Sequence, residues 1–158
     1  MTTRPQITRV RGFAQHGQML DVLGAGFDDD PEYSRARPDA EYVQRLLGSD
    51  SFVAFVAYDG PAAVGAIAGY ELVKFEQARS EFYLYDLAVL DSHRRQGIAK
   101  ALIRAFQGEA ARRGALVTFV QADLDDPPAI ALYESLGTRE EVLHFDLDPP
   151  DEERPGRG

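Results

Sequence analysis

The sequence has no cysteine, no long apolar run and too few basic residues to balance its acids. The lack of cysteine excludes disulfides, thiolate nucleophiles, cysteine-ligated zinc and iron–sulfur clusters, and it fits a reducing cytoplasm. The apolar runs fall well short of the roughly 20 residues that span a bilayer, and no signal-peptide core follows the N-terminal Met-Thr-Thr-Arg-Pro. We therefore expect a cytoplasmic protein that has no membrane partner.

The surplus of acidic residues bears on the choice of binding partner. The chain has 26 Asp and Glu residues against 17 Lys and Arg residues, which gives a formal net charge of −9. Such a surface repels phosphate backbones and attracts cations, so nucleic acid is not an expected partner. The acids concentrate in residues 28–32, 123–126 and 140–153. Each cluster taken alone is typical of a solvated loop or tail.

Hydrophobic periodicity predicts one domain over residues 1–148 and an acidic, frayed tail over residues 149–158. Strands are predicted at residues 7–13, 51–58, 62–73, 81–89, 116–122 and 141–147. Helices are predicted at residues 15–23, 39–47, 97–113 and 128–136. An antiparallel meander followed by a βαβα unit predicts an α/β (α+β) fold, with a mixed, mostly antiparallel central sheet and helices on both faces.

Finer predictions follow from the same patterns. The first helix should stop at the glycines of residues 24–26, and the continuous apolar run 116–122 is typical of a strand covered on both faces. Asp126 followed by proline predicts the cap of the last helix. In the helix over residues 39–47, the side chains predicted to face the core are those of Tyr42, Val43, Leu46 and Leu47.

Residues 83–99 run from an apolar strand through a short basic turn into a helix. The first N–H groups of a helix point outward and carry partial positive charge, so this junction is suited to bind an anion. Gly97 permits close approach of a phosphate, and Arg94 and Arg95 add positive charge. The alternative is an ordinary strand-to-helix turn with two solvated arginines. The candidate donors are the N–H groups of Gln96, Gly97, Ile98 and Ala99.

The run RRQGIA at residues 94–99 after DLAV at 86–89, with ALY at 131–133 and LG at 136–137, resembles the GCN5-related N-acetyltransferase (GNAT) superfamily. In that superfamily the loop binds the pyrophosphate of acetyl-coenzyme A, and the preceding strand hydrogen-bonds the pantetheine. The later helix brings a tyrosine to the thioester sulfur. The resemblance therefore implies acetyl-coenzyme A as cosubstrate and gives that tyrosine's role to Tyr133.

Further blocks are similar to the type I aminoglycoside 3-N-acetyltransferases, such as gentamicin acetyltransferase. They comprise residues 74–81, 83–99, 120–123, 138–142 and 144–146, and the resemblance extends over most of the chain, from about residue 33 to residue 148. It implies acetylation of an aminoglycoside at the 3-amino group of 2-deoxystreptamine. Because the product has lost one positive charge, it is attracted less strongly to ribosomal RNA phosphates, and the consequence is antibiotic resistance.

The residues themselves suit acetyl transfer to an amine. Backbone N–H groups of Leu87, Ala88 and Val89 can hold the pantetheine and polarise the thioester carbonyl. The hydroxyl of Tyr133 has an ordinary pKa near 10, above the roughly 8.5 of a thiol, so it stays protonated at neutral pH and can donate to the departing thiolate. The alternative for Tyr133 is a half-buried helix tyrosine with no catalytic role.

Asp86 is the leading candidate for the general base, acting directly or through one water. It interrupts an apolar strand, where a buried carboxylate is costly unless a cation such as the substrate amine pairs with it. The alternative is a structural carboxylate bonded to nearby backbone or to an arginine. Glu81, five residues upstream in the same strand, projects from the opposite face unless the strand has a bulge. It is a weaker candidate for the base or for an amine anchor.

Acids in the last third of the chain are candidates for a pocket that binds a polycation. The three histidines are poor catalytic candidates, and among His16, His93 and His144 the last is best placed to touch substrate. No carboxylate or second histidine lies at ligand spacing from them, so no metal site is expected. The acidic pocket is predicted from Asp123, Asp125, Asp126 and Asp146.

Three hypotheses about function remain at this point. The first is an acetyl-coenzyme A-dependent N-acetyltransferase that modifies a cationic aminoglycoside. The second keeps the reaction and changes the acceptor to a polyamine, a small metabolite amine or a protein amine. The third is a coenzyme A-binding regulatory module without turnover, against which Asp86 and Tyr133 argue. A homodimer stays open as well, because the acidic C-terminal strand can pair across an interface.

Overall fold

A computed structural model describes residues 4–150, and over that range the chain forms five strands and four α-helices. The strands are Gln6–Arg9 (β1), Phe52–Asp59 (β2), Ala62–Val73 (β3), Ser80–Val89 (β4) and Thr118–Val120 (β5). The α-helices are Phe13–Gly26 (α1), Ala40–Gly48 (α2), Ile98–Arg112 (α3) and Pro127–Glu134 (α4). Short 3-10 helices occupy Pro31–Tyr33 and Asp91–His93.

The chain divides into two compact units, Met1–Gln121 and Ala122–Gly158. The first unit contains the sheet and α1 to α3, and the second contains α4. The single domain over residues 1–148 stays a prediction. Most of the predicted tail, residues 151–158, lies outside the described residues. Among the described helices, none has the length and apolar character to cross a bilayer.

The five described strands form one sheet in the order β1-β2-β3-β4-β5. The first four strands pair antiparallel with their neighbours, as expected for a meander. β5 runs parallel to β4, because α3 carries the chain back across the sheet between them. The predicted mixed, mostly antiparallel sheet is therefore confirmed.

Helices cover both faces of this sheet, and two close approaches show how. On one face, a Cβ added at Gly69 of β3 would lie only 2.5 Å from the ring of Phe106 in α3. On the other face, a Cβ added at Gly26 of α1 would lie 2.4 Å from the Cβ of Ala88 in β4. Both glycines are thus needed for tight contact between helix and sheet.

α1 differs from its prediction at both ends. Phe13 begins this helix instead of ending β1, and the helix continues through Gly24 to Gly26 without the expected break. Tertiary contacts explain the continuation, because Gly24 packs against Tyr33 and Gly26 packs against the sheet. The low helix propensity of glycine is outweighed by these contacts.

α2 lies where the sequence predicts it, but not every side chain that was predicted to face the core is buried. Asp39 caps the helix, since its Oδ1 accepts a hydrogen bond of 2.9 Å from the N–H of Tyr42. Val43 is buried, whereas the side chain of Tyr42 is 53% exposed, so the expectation that Tyr42 points inward is wrong. A nine-residue helix packed on one side buries a narrow stripe, and Tyr42 lies outside it.

Two predicted strands differ in the structure. Pairing of the run 116–122 is confined to three residues, and Leu116 is 63% exposed, so this run is not covered on both faces. In the described part of the chain, residues 141–147 form no strand, although Leu143 and Phe145 alternate with polar neighbours. Alternation identifies residues suited to a sheet face, but the backbone partner that makes a strand is not encoded locally.

Candidate active site

β4 contains a bulge in its middle. The register with β3 pairs Ala68 with Asp86 but Gly69 with Leu84, which leaves Tyr85 as an extra residue. A bulge bends a strand and redirects the side chains on either side of it. The carboxylate of Asp86 therefore lies directly after an irregularity that separates the two halves of β4.

The bulge also decides where Glu81 lies. Residues paired in register share a sheet face, and Asp86 pairs with Ala68, which belongs to the core cluster packed on α1. Glu81 pairs with Leu72, which shares that face because it is four positions from Ala68 in the same strand. Glu81 therefore projects from the same face as Asp86, because the condition for opposite faces, a strand without a bulge, is not met. Its carboxylate lies 3.8 Å from the guanidinium of Arg79.

Asp86 is half-buried and has a partner that the sequence did not reveal. The hydroxyl of Tyr33 donates a hydrogen bond of 2.9 Å to Oδ2 of Asp86. The ring of Tyr33 stacks on Phe27 with 5.7 Å between centroids. Asp30 orders the 3-10 turn that presents this tyrosine, because its Oδ1 accepts the N–H of Glu32. The only signal in the sequence is the Asp-Pro-Glu turn that begins this segment.

The surroundings of Asp86 favour its protonated form. Burial raises the pKa of the Asp86 carboxyl above its ordinary value, and the negative charges of Glu32 and Asp30 act in the same direction. The hydrogen bond from Tyr33 opposes this change because it stabilises the carboxylate. Burial and the same hydrogen bond raise the pKa of Tyr33, so its hydroxyl stays protonated as the donor. A carboxylate with raised proton affinity suits general base catalysis.

The turn before α3 has a distinctive backbone. Gly97 lies at the N-cap with φ of 78°, and Arg95 has φ of 61°. A Cβ built at Gly97 would meet no heavy atom within 4 Å, so the side next to this residue is open. Ile98 is buried and anchors the helix, while Gln96 is exposed and Ala99 is partly covered. The first N–H groups of α3 thus lie at an accessible, locally positive end.

Two side chains of this turn contact nearby carboxylates. Arg94 lies 2.9 Å from Asp91, and both side chains are well exposed. The Nε2 of His93 lies 2.8 Å from Asp59, and its Nδ1 contacts the hydroxyl of Ser92. His93 therefore orders the turn.

The strand just before this turn presents two N–H groups away from β3. The N–H of Leu90 donates to the carbonyl of Val64 across the β3–β4 ladder. Because hydrogen-bonding direction alternates along a strand, the N–H groups of Leu87 and Val89 point to the other side, and that of Ala88 points toward β3. In the described residues β5 pairs with β4 only upstream of this stretch.

The second unit contains the other predicted site residues. Tyr133 is a half-buried residue of α4, and Asp126 caps that helix by accepting the N–H of Ala129 at 3.2 Å. The imidazole of His144 lies 2.9 Å from the carboxylate of Asp146, and both are exposed. All four predicted pocket acids are exposed: Asp123, Asp125, Asp126 and Asp146.

Of the three histidines, His16 is the buried one. His16 is buried in α1, and burial, assisted by the charge of Arg37, lowers its pKa, so this histidine belongs to the core. Between residues 4 and 150, no group of three or more His, Cys, Asp or Glu side chains is arranged to hold a metal ion.

Comparison with solved structures gives close matches. An aminoglycoside acetyltransferase from an uncultured soil metagenomic sample superposes with a TM-score of 0.90 and 47% identity, over 94% of this chain and 100% of that one. A second such enzyme from an uncultured soil sample, solved in complex with sisomicin, gives a TM-score of 0.84 and 31% identity, over 92% and 97% of the two chains.

Curated proteins match over shorter stretches. A probable N-acetyltransferase family 8 member 5 of Mus musculus is 34% identical over 52% of this chain and 37% of its own length. The ribosomal protein bS18-alanine N-acetyltransferase of Escherichia coli K12 is 33% identical over 44% of this chain and 47% of its own length. The chain thus spans less than half of these relatives. The model of the acetyltransferase (GNAT) family matches residues 21–138, about three quarters of the sequence, and the chain belongs to that family.

Proposed function

We propose that this protein transfers the acetyl group of acetyl-coenzyme A to an amine of an aminoglycoside. The observation that carries the proposal is Asp86, a half-buried carboxylate with a raised pKa that directly precedes the outward-facing N–H groups of Leu87 and Val89. A proton acceptor and carbonyl-polarising donors are thereby adjacent in one strand, which is what acyl transfer to an amine requires.

The N-terminus of α3 fits the pyrophosphate of coenzyme A. The open space beside Gly97 leaves room for a phosphate against the backbone, and the left-handed φ of Gly97 turns the first N–H groups of the helix outward. Arg94 and Arg95 add positive charge at the same turn. Leu87 and Val89 would hold the pantetheine, while Ala88 packs against α1.

Each proposed step uses a group of this chain. Bound acetyl-coenzyme A supplies the thioester. Asp86 accepts the proton of the substrate ammonium, directly or through one water, and the neutral nitrogen then attacks the carbonyl carbon. As the C–N bond forms and the C–S bond breaks, Tyr133 donates a proton to the leaving sulfur, and the second proton that the acylated nitrogen then loses returns through solvent to the Tyr133 oxygen. Tyr33 holds the Asp86 carboxylate in position through its hydroxyl.

The aminoglycoside is favoured as acceptor by two independent considerations. The relative that is 47% identical over its whole chain is an aminoglycoside acetyltransferase. The net charge of −9 and the exposed acids from Asp123 to Asp146 attract a polycation before it reaches the base. Modification at the 3-amino group rests on the resemblance to the 3-N-acetyltransferases, and antibiotic resistance follows from it.

A second candidate function keeps the chemistry and changes the acceptor. The partial match to a ribosomal protein alanine N-acetyltransferase favours a peptide amine as the alternative acceptor. A thiol-release assay separates these functions when acetyl-coenzyme A is offered with gentamicin, kanamycin, spermidine or a lysine peptide. We expect turnover with the two aminoglycosides, and NMR of the product should locate the acetyl group at the 3-amino position. Turnover confined to spermidine or peptide would overturn the proposal, and coenzyme A binding without any turnover would indicate a regulatory module.

A further inference from the structure

Three tyrosines of the sheet form a cluster beside Asp86, which we call the tyrosine platform: the exposed Tyr70 and Tyr85 and the half-buried Tyr83. The ring of Tyr85 meets that of Tyr70 edge-on at 6.0 Å and 83°, and that of Tyr83 at 5.7 Å and 74°. Tyr83 in turn stacks on Phe119 of β5 at 4.7 Å and 11°. These contacts fix the orientation of Tyr85, although its side chain is 61% exposed.

The bulge in β4 brings the platform to the reacting carboxylate. Tyr85 is the extra residue of the bulge and is next to Asp86 in the chain, and its ring contacts place it with Tyr70 and Tyr83 on the face that carries Asp86. Burial raises the pKa values of Tyr70 and Tyr83, and the negative charge of Asp86 acts in the same direction. Glu81 lies on the same face at the far side of the platform. An aromatic surface is thus flanked by two carboxylates.

This combination matches the chemistry of an aminated alicyclic ring. A cyclitol whose substituents are all equatorial presents only C–H bonds on its two faces, and adjacent ammonium groups make those hydrogens electron-poor. The negative face of an aromatic ring attracts such hydrogens and nearby cations. The flanking carboxylates would pair with ammonium groups on the rim of the ring. A linear polyamine offers a narrow, flexible chain that loses conformational freedom when it is held flat.

We propose that the tyrosine platform, with Tyr85 as its principal member, is a specificity determinant that selects ring-bearing polyamines over linear ones by stacking against the face of the ring. The proposal deepens the proposed function and rests on it. It assigns to Tyr85 a role in binding the acceptor, distinct from the proton transfer assigned to Asp86. Exposure of Tyr85 supports this role over one in packing, because a ring that only stabilised the fold would be expected to be buried.

The test measures binding, so it does not depend on turnover. Calorimetric titration of the coenzyme A-loaded protein with kanamycin and with spermidine gives the ratio of their Kd values. Tyr85→Ala should weaken kanamycin binding about tenfold, the size of one aromatic contact with a cationic ring, and change spermidine binding less than about twofold. Tyr85→Phe should retain the wild-type ratio, since it keeps the aromatic face.

Controls make each outcome decisive. Phe75→Ala removes an aromatic ring that is 98% exposed in the β3–β4 connection, outside the platform, and should leave both Kd values unchanged. Tyr85→Leu keeps an apolar side chain without the aromatic face and should behave like Tyr85→Ala, which provides a second variant if the alanine protein unfolds. If the ratio of the kanamycin Kd to the spermidine Kd is unchanged in Tyr85→Ala or Tyr85→Leu, the proposed role of the tyrosine platform is wrong. The proposed function is unaffected by that result. If wild-type protein neither binds nor acetylates aminoglycosides, both proposals are wrong.

Discussion

Replacement of Tyr33 by phenylalanine isolates the contact between Tyr33 and Asp86. The substitution keeps the ring that stacks on Phe27 and removes only the hydroxyl that donates to the carboxylate at 2.9 Å. Because this hydrogen bond lowers the pKa of Asp86 against the effect of burial, its loss should raise that pKa. The base is active when deprotonated, so the acidic limb of the pH profile of kcat/KM should move toward higher pH.

The size of the effect follows from the exposure of the contact. A hydrogen bond to a charged group contributes about 1.5–3 kcal/mol, and water can replace part of it at half-buried Asp86, which leaves about 1 kcal/mol. A factor of ten corresponds to roughly 1.4 kcal/mol, so at pH values on the acidic side of the limb kcat/KM of Tyr33→Phe should be about fivefold lower than that of wild type. At pH values above the limb the two should be equal. The assay is thiol release with kanamycin, measured from pH 5 to 9.

Two further variants sharpen this test. Glu32→Gln removes a negative charge that raises the pKa of Asp86, so its acidic limb should move toward lower pH, opposite to Tyr33→Phe. Tyr58→Phe removes a hydroxyl that bonds to Gln18 elsewhere in the fold, and its profile should match wild type. A limb that stays in place in Tyr33→Phe, or shifts to lower pH, would refute the assignment of Asp86 as the base controlled by Tyr33.

Three other predictions concern coenzyme A, the leaving group and stability. Gly97→Glu should weaken coenzyme A binding at least about tenfold, because a carboxylate would face the phosphates, and an unchanged Kd by calorimetry would exclude this site. Tyr133→Phe should lower kcat by about 10- to 100-fold with little change in either KM, and wild-type turnover would leave Tyr133 no role as an acid. Hydrogen bonding by Arg112 and then Arg113 lowers the pKa of Glu109 to about 2, so its stabilising effect is complete above the ordinary pKa near 4.5 and is lost as the pH falls toward 2. Glu109→Gln should therefore reduce the free energy of unfolding by about 1–2 kcal/mol at pH 7 and much less at pH 2, and an equal loss at both values would contradict the ion-pair argument.

Local patterns in the sequence predicted the framework of the site. Helical periodicity after residue 97 identified α3, and the glycine at its start identified the candidate anion site. The Asp59-Gly60 turn lies between two apolar runs of the sequence, and it joins β2 and β3 as an antiparallel hairpin. These features depend on neighbours within a few residues, so the sequence carries them directly.

Features that depend on distant contacts were not predictable in this way. Tyr33 and Asp86 are separated by 53 positions, and no local pattern links them. The bulge at Tyr85 arises from the register with β3, and it turned Glu81 to the face of Asp86 against the expectation from simple alternation. Residues 141–147 show the converse case, since they alternate like a strand and form none in the described part of the chain.

Steady-state kinetics of Asp86→Asn with kanamycin test the central claim most directly. The variant keeps the shape of the side chain and removes the proton acceptor, and Asp50→Asn, which neutralises an exposed acid outside the proposed site, is the matched control. We predict that kcat of Asp86→Asn falls by about 10²-fold or more while the Kd for coenzyme A stays near that of wild type, and that the control retains full activity. If Asp86→Asn raised only the KM for kanamycin, and that change disappeared at high salt, Asp86 would be an electrostatic anchor and the account of the base would be wrong.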